Sequence, residues 1–278
     1  MRVYISADME GITGVASLDD VSSGNPDYEA ARERMHDDVN AAVEGALAAG
    51  ATDVLVNDSH ATMTNLQLGS LHEDSTLIRG RPKPRGMMQG LDETHDVALF
   101  VGYHAMAGTT GAVLNHTVTG SAVRRLRLDG TEVGELGWNA RLAAHVGVPV
   151  GLVTGDDATA AEAERELGDV ETVVVKESIG RFAATCEPAS ETRQAIYERA
   201  ERAVRRADED GFAQDRHDSG PVRMAVDWTT TDQARGAAEP PGIERVDGRT
   251  TAVEGETYAD AYEATVAMIG VGTANSPT

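Results

Sequence analysis

The sequence predicts an α/β fold around a largely parallel or mixed central sheet, and three observations lead there. Short apolar runs alternate with helix-length amphipathic stretches through the first half of the chain. Two of those runs, "DVLVND" and "DVALFVGYH", are continuously apolar in the way of strands buried on both faces. At 278 residues the chain can bury a sizeable core, as one large domain or as a core with a smaller lobe.

Residues 2–7 are the first expected strand. "NPDYEAARERMHDDVNAAVEGALAAG" reads as a helix, with Asn25 as N-cap and Pro26 at the first helical position. Met35, Val39, Ala42, Val43, Ala46 and Leu47 share one face of it, and Gly50 marks its end. A helix of this length between apolar strands points to parallel pairing. "RRLRLDGTEVGE" alternates around Asp129-Gly130, the signal of a type I′ hairpin. "ELGWNARLAAHVG" follows as a helix with Glu135 and Asn139 on one face. "VPVGLVTGDD" and "ETVVVKES" are further strands, with a helix through "ATAAEAERELG" between them. A long helix is expected over about 190–207, then the strand "VRMAVDW", whose Val222, Met224, Val226 and Trp228 read as core. The helix "TYADAYEATVAMIG" closes the chain. "TTTDQARGAAEPPG" reads as a linker, which divides the chain into a core at 1–241 and a small strand-helix extension at 242–278, packed on the same domain.

Composition excludes several functions. With 24 basic against 46 acidic residues, the formal net charge of -22 argues against nucleic acid or an anionic membrane as partner. Without a long apolar run or a leader-like start, the chain reads as soluble and cytoplasmic. Cys186 is the single cysteine, so any metal must be held by nitrogen and oxygen ligands. Lys83 and Lys176 are the only lysines. Excess acid with so little lysine fits a protein adapted to concentrated salt, where ions screen its self-repulsion.

In the stretch "VYISADMEGITG", Asp8 and Glu10 project the same way from an extended chain, and two carboxylates aimed at one spot call for a cation. Other polar residues follow strands in the same manner: His60 in "VNDSH", His104 in "FVGYH" and Glu135 in "VGELG", with His116 of "VLNHT" nearby. In a parallel sheet such residues gather at the carboxyl edge. Five nitrogen and oxygen ligands exceed one open catalytic zinc and suit two metals sharing a carboxylate. His36, His72, His95, His145 and His217 are given no role.

These motifs also carry a resemblance. "SADMEG" is similar to the Ser-x-Asp-x-Glu-Gly signature of the D-aminopeptidase family of binuclear zinc metallopeptidases, the type associated with dipeptide-transport operons. The likeness runs on through "VNDSH", "KPRGMMQGLD", "ALFVGYHA", "NHT", "VGELGWNA", "PVGLVTGDD" and "VVVK". It implies a three-layer α/β/α fold, two zinc ions held by Asp8, Glu10, His60, His104 and Glu135, and His116 as the catalytic residue. Manganese or cobalt would suit the same ligands. The implied activity is hydrolysis of N-terminal residues, including D-amino acids, from short peptides or amides. The implied assembly is a homo-oligomer, a decamer of two stacked pentamers. Asn115, Lys83 and Lys176 fall in matching segments and are candidates for holding substrate. Two other classes compete: a dinuclear phosphoesterase, and a non-catalytic peptide-binding component of dipeptide transport. The first expects Asp-x-His and Gly-Asn-His motifs that this chain lacks. The second has no need of a free histidine beside the ligands.

Overall fold

The computed structural model describes residues 1–209, 211–214 and 220–274, so His217 lies outside the described residues. In chain order the elements are β1 (Arg2–Ala7), α1 (Leu18–Val21), α2 (Tyr28–Ala48), β2 (Asp53–Asp58), β3 (Ser75–Ile78), β4 (Val97–Val101), β5 (Val123–Leu128), β6 (Thr131–Val133) and α3 (Glu135–Val146). There follow β7 (Val150–Asp156), α4 (Asp157–Leu167), β8 (Glu171–Gly180), β9 (Ala183–Cys186), α5 (Ala189–Glu209), β10 (Val222–Trp228), α6 (Thr231–Ala237), β11 (Glu244–Arg245), β12 (Thr250–Gly255) and α7 (Tyr258–Ala274).

A mixed sheet runs in the order β3-β2-β1-β4-β7-β8-β9, parallel throughout except for the antiparallel β8–β9 pair. From β1 the chain builds outward through β2 and β3, then returns to β4 and builds the other way. The strand order therefore reverses between β1 and β4, the place where open α/β sheets open a crevice at their carboxyl edge. Alternation along β1 sorts its side chains: Val3, Ile5 and Ala7 join a core with α2 and α5, while Tyr4 joins one with α3, α7 and the second sheet. Helices α2 and α5 cross closely at Gly45, where a Cβ would overlap the Tyr197 carbonyl oxygen.

The second sheet is antiparallel, ordered β11-β12-β10-β5-β6. Residues 250–255 pair with 222–227 across position 242, so the strands on either side of that position form one sheet. Met224, Val226 and Trp228 are fully buried there. Asp129 and Gly130 both take positive φ at the β5–β6 turn, as a type I′ hairpin requires.

Two local expectations are corrected. Helix α2 begins at Tyr28 rather than at Pro26, and the Asn25 side chain donates to Asp19 instead of capping the helix. The linker-like stretch holds α6, started by a capping box in which Thr230 and Gln233 satisfy each other's backbone N–H groups.

Candidate metal centre

Register places the site. Ala7 pairs with Asp58 of β2 and Val101 of β4, so the three neighbouring strands end level. Asp8 and Glu10 follow β1, His60 follows β2 by two residues and His104 follows β4 by three. Glu135 arrives from above, as the first residue of α3. Asp8, Glu10, His60, His104 and Glu135 are all buried, and the His116 side chain is 17% exposed.

Two groups of donors result. Ligand atoms of Asp8, Glu10 and His60 lie within 4.8 Å of one another, as do those of His104, His116 and Glu135. Asp8 joins the groups: Oδ1 is 3.2 Å from His60 Nδ1, and Oδ2 is 3.5 Å from His104 Nε2. Glu10 lies 2.9 Å from His60 Nδ1 through Oε2 and 3.9 Å from His116 Nε2 through Oε1. Glu135 Oε1 is 3.1 Å from His104 Nε2 and 3.8 Å from His116 Nε2.

The outer ring nitrogens fix what the inner ones present. His60 Nε2 donates to the Val21 carbonyl at 2.8 Å, His104 Nδ1 to Ala105 at 3.1 Å and His116 Nδ1 to Leu114 at 2.9 Å. A carbonyl can only accept, so each outer nitrogen carries the proton and each neutral ring turns a lone pair inward. Those lone pairs meet carboxylate oxygens, which also only accept. Acceptor facing acceptor in a dry site is stable only with a cation between them. His104 Nε2 is buried and makes no hydrogen bond. The donor set, three imidazoles and three carboxylates without sulfur, fits a pair of zinc-like dications.

Without a metal, protons must take the cation's place. Burial raises Asp8 to about 7, with the Glu10 charge adding to it. Burial also pushes Glu10 and Glu135 upward, but His60 and His104 respectively override it and hold both carboxyls low. Burial would strip the proton from His60 and His104, yet Glu10 and Glu135 keep both rings well above the ordinary range. His116 goes the other way: burial, then the neighbouring His104 charge, lowers it. Its ring stacks on His104 with centroids 4.0 Å apart.

A family model described as D-aminopeptidase matches residues 1–267. The chain belongs to the D-aminopeptidase family. A D-aminopeptidase of Bacillus subtilis (strain 168) is 38% identical over 271 residues, covering 96% of each chain. A solved structure, the Zn-dependent D-aminopeptidase DppA from Bacillus subtilis, described as a self-compartmentalizing protease, superposes with TM-score 0.93 at 35% identity over all of both chains.

The three residues expected to touch substrate do other work in this member of the family. Lys176 Nζ donates to the carbonyls of Glu10, Ile12 and Val15 at 2.6, 2.9 and 2.6 Å, and no part of it reaches solvent. Lys83 Nζ donates to Asn57 Oδ1 and to the Asp58 carbonyl, both at 2.6 Å. Each lysine thus braces a turn that leads into metal-site residues, from behind. Asn115 closes its own loop, donating to the Thr109 and Ala112 carbonyls and accepting from Gly108 N–H. The two lysines face carbonyl oxygens behind the site, so the substrate-holding expectation is withdrawn for them, while Asn115 lies on the wall of a cavity beside His116.

A feature not visible in the motifs flanks His116. Leu114 and Val118 both adopt positive φ, which a β-branched valine strongly resists. Leu114 N–H is held by the Arg181 carbonyl at 2.8 Å, and Val118 N–H by Glu135 Oε1 at 2.6 Å. The bend that swings His116 over the centre is therefore tied at both ends, once to a candidate ligand.

Proposed function

We propose that this protein is a zinc aminopeptidase that removes N-terminal residues, D-amino acids among them, from short peptides or amides. The observation that supports it best is the inward lone pair on all three imidazoles, each set against a carboxylate. Asp8, Glu10, His60, His104 and Glu135 would hold two metals, and the carboxylate oxygens of Asp8 face both groups of donors. A bound metal pair supplies Lewis acidity at the scissile carbonyl and lowers the pKa of water. His116 stays outside the ligand set in this reading. Its Nδ1–H is committed to Leu114 and its pKa is lowered, so the ring is neutral and Nε2 can accept and return a proton. The family assignment favours peptide hydrolysis over phosphoester hydrolysis and over a purely binding role. Manganese or cobalt would serve the same ligands.

The self-compartmentalizing relative supports a homo-oligomer, which we take to be a decamer. We place it in the cytoplasm on its lone cysteine. No described helix is long and apolar enough to cross a membrane. The net charge of -22 supports adaptation to salt, and a thermal midpoint that falls as salt is raised would refute it. The deciding experiment measures metal in protein purified without added metal, together with amine release from D-Ala-D-Ala and L-Ala-L-Ala amides. Two equivalents of zinc and release from the D-isomer are expected. Bound metal with no release from either isomer would sink the peptidase reading.

A further inference from the structure

A cavity of about 700 Å³ opens beside His116, within the range of small-ligand sites. Its wall carries Arg124, Arg125 and Arg181 against a single carboxylate, Glu132, in a chain where acids outnumber bases nearly two to one. Glu132 is already engaged by Arg125 at 3.4 Å, which leaves the wall with excess positive charge. The Arg181 guanidinium lies over the Phe182 ring, 5.0 Å from its centroid, which orients the plane and leaves its N–H edge open. Among the described residues, Arg181 has no carboxylate within ion-pair distance. Its neighbour across the gap is the candidate proton-transfer residue: Arg181 Nη2 and His116 Cβ each come within 3.5 Å of the point where a Cβ on Gly120 would sit. The Arg181 backbone is itself tied to the His116 loop through the Leu114 N–H bond.

We infer that Arg181 binds the free α-carboxylate of the substrate, which makes the protein selective for peptides with an unblocked C-terminus. This rests on the aminopeptidase reading. A guanidinium fork matches a carboxylate in two parallel hydrogen bonds, and an anion here offsets a cationic wall. Arg124 sits in the same wall and adds charge.

The test compares zinc-loaded wild type, R181M and R181K on an Ala-Ala dipeptide and on its C-terminal amide, using the stereoisomer that is turned over. Wild type is expected to favour the free acid over the amide by about tenfold in kcat/KM, expressed mainly in KM, as suits a charge-assisted hydrogen bond at a partly wet site. R181M should bring that ratio close to one. R181K should restore part of it, since an ammonium keeps the charge and loses the fork. An R181M enzyme with the wild-type ratio, or a wild type without preference for the acid, overturns the assignment. Zinc-loaded wild type that releases amine from neither compound overturns the aminopeptidase reading, and the subsite with it.

Discussion

Replacing Lys176 with methionine removes a buried cation while keeping its length and girth. At pH 7 that cation is an ammonium, because burial lowers its pKa only to about 8, against the opposing pull of Asp156. Its three N–H groups are the donors that Glu10, Ile12 and Val15 carbonyls meet at 2.6–2.9 Å. Each buried carbonyl left without a donor costs about 1–3 kcal/mol. The three share one turn and relax together, so the sum is smaller than three separate losses, about 4 kcal/mol. For a chain this long that is a fall of about 10 °C in the thermal midpoint. The same turn aims Glu10 at His60, so the variant should also bind zinc more weakly. Thermal melts at one protein concentration, with zinc and after chelation, read both effects. The gap between the two melts should shrink in the variant. A K176M protein that melts within about 2 °C of wild type and holds the same zinc would refute the bracing role.

His116→Ala should lower kcat by about 10²–10⁴-fold while two zinc ions remain bound. Loss of one equivalent by elemental analysis would instead make His116 a ligand of the second group. Gly11→Ala drives a Cβ into the Tyr103 carbonyl oxygen and the Gly102 backbone, neither of which can swing aside, so the ends of β1 and β4 must part. Destabilisation of about 3 kcal/mol with reduced zinc content is expected, against a neutral Gly180→Ala control whose Cβ would meet nothing within 4 Å. Asp38 accepts from Thr13 N–H, and burial raises its pKa to about 6. A raised carboxyl favours the folded state while protonated and loses that contribution as pH rises through about 6. Urea denaturation of Asp38→Asn should therefore show a stability difference that moves in the variant's favour between about pH 4 and 6, by up to about 3 kcal/mol. A pH-independent difference would contradict the shift.

Asp8, Glu10, His60 and His104 were legible because each follows a strand in a chain whose apolar runs already implied parallel pairing, and the level strand ends bring their donors together, while Glu135 reaches them from the start of α3. The lysines were not. Their scarcity was visible in the composition, but a lysine serving carbonyls from within looks the same in sequence as one awaiting an anion. The capping box of Thr230 and Gln233 was a readable helix signal hidden by the Thr, Ala, Gly and Pro around it. Strand β3 has four residues and β11 two, too short to show a period. The positive φ of Leu114 and Val118 could not be foreseen, since both residue types avoid it and only tertiary bonds enforce it.

The reversal of strand order between β1 and β4 also dictates when the centre comes into being. Its residues are spread from Asp8 to Glu135, and the pairing that aligns them joins the first strand to one some ninety positions later. No short fragment contains the cluster. During synthesis, at about 5–20 residues per second, roughly half the polypeptide must leave the ribosome before the three donors of the first group can be joined by all of the second. The full pair of ions therefore cannot seed the fold as a single ion does in small metal-stapled modules. They enter a scaffold that the parallel strands have already raised, and the capacity to cut peptides begins only once the chain is past being one of them.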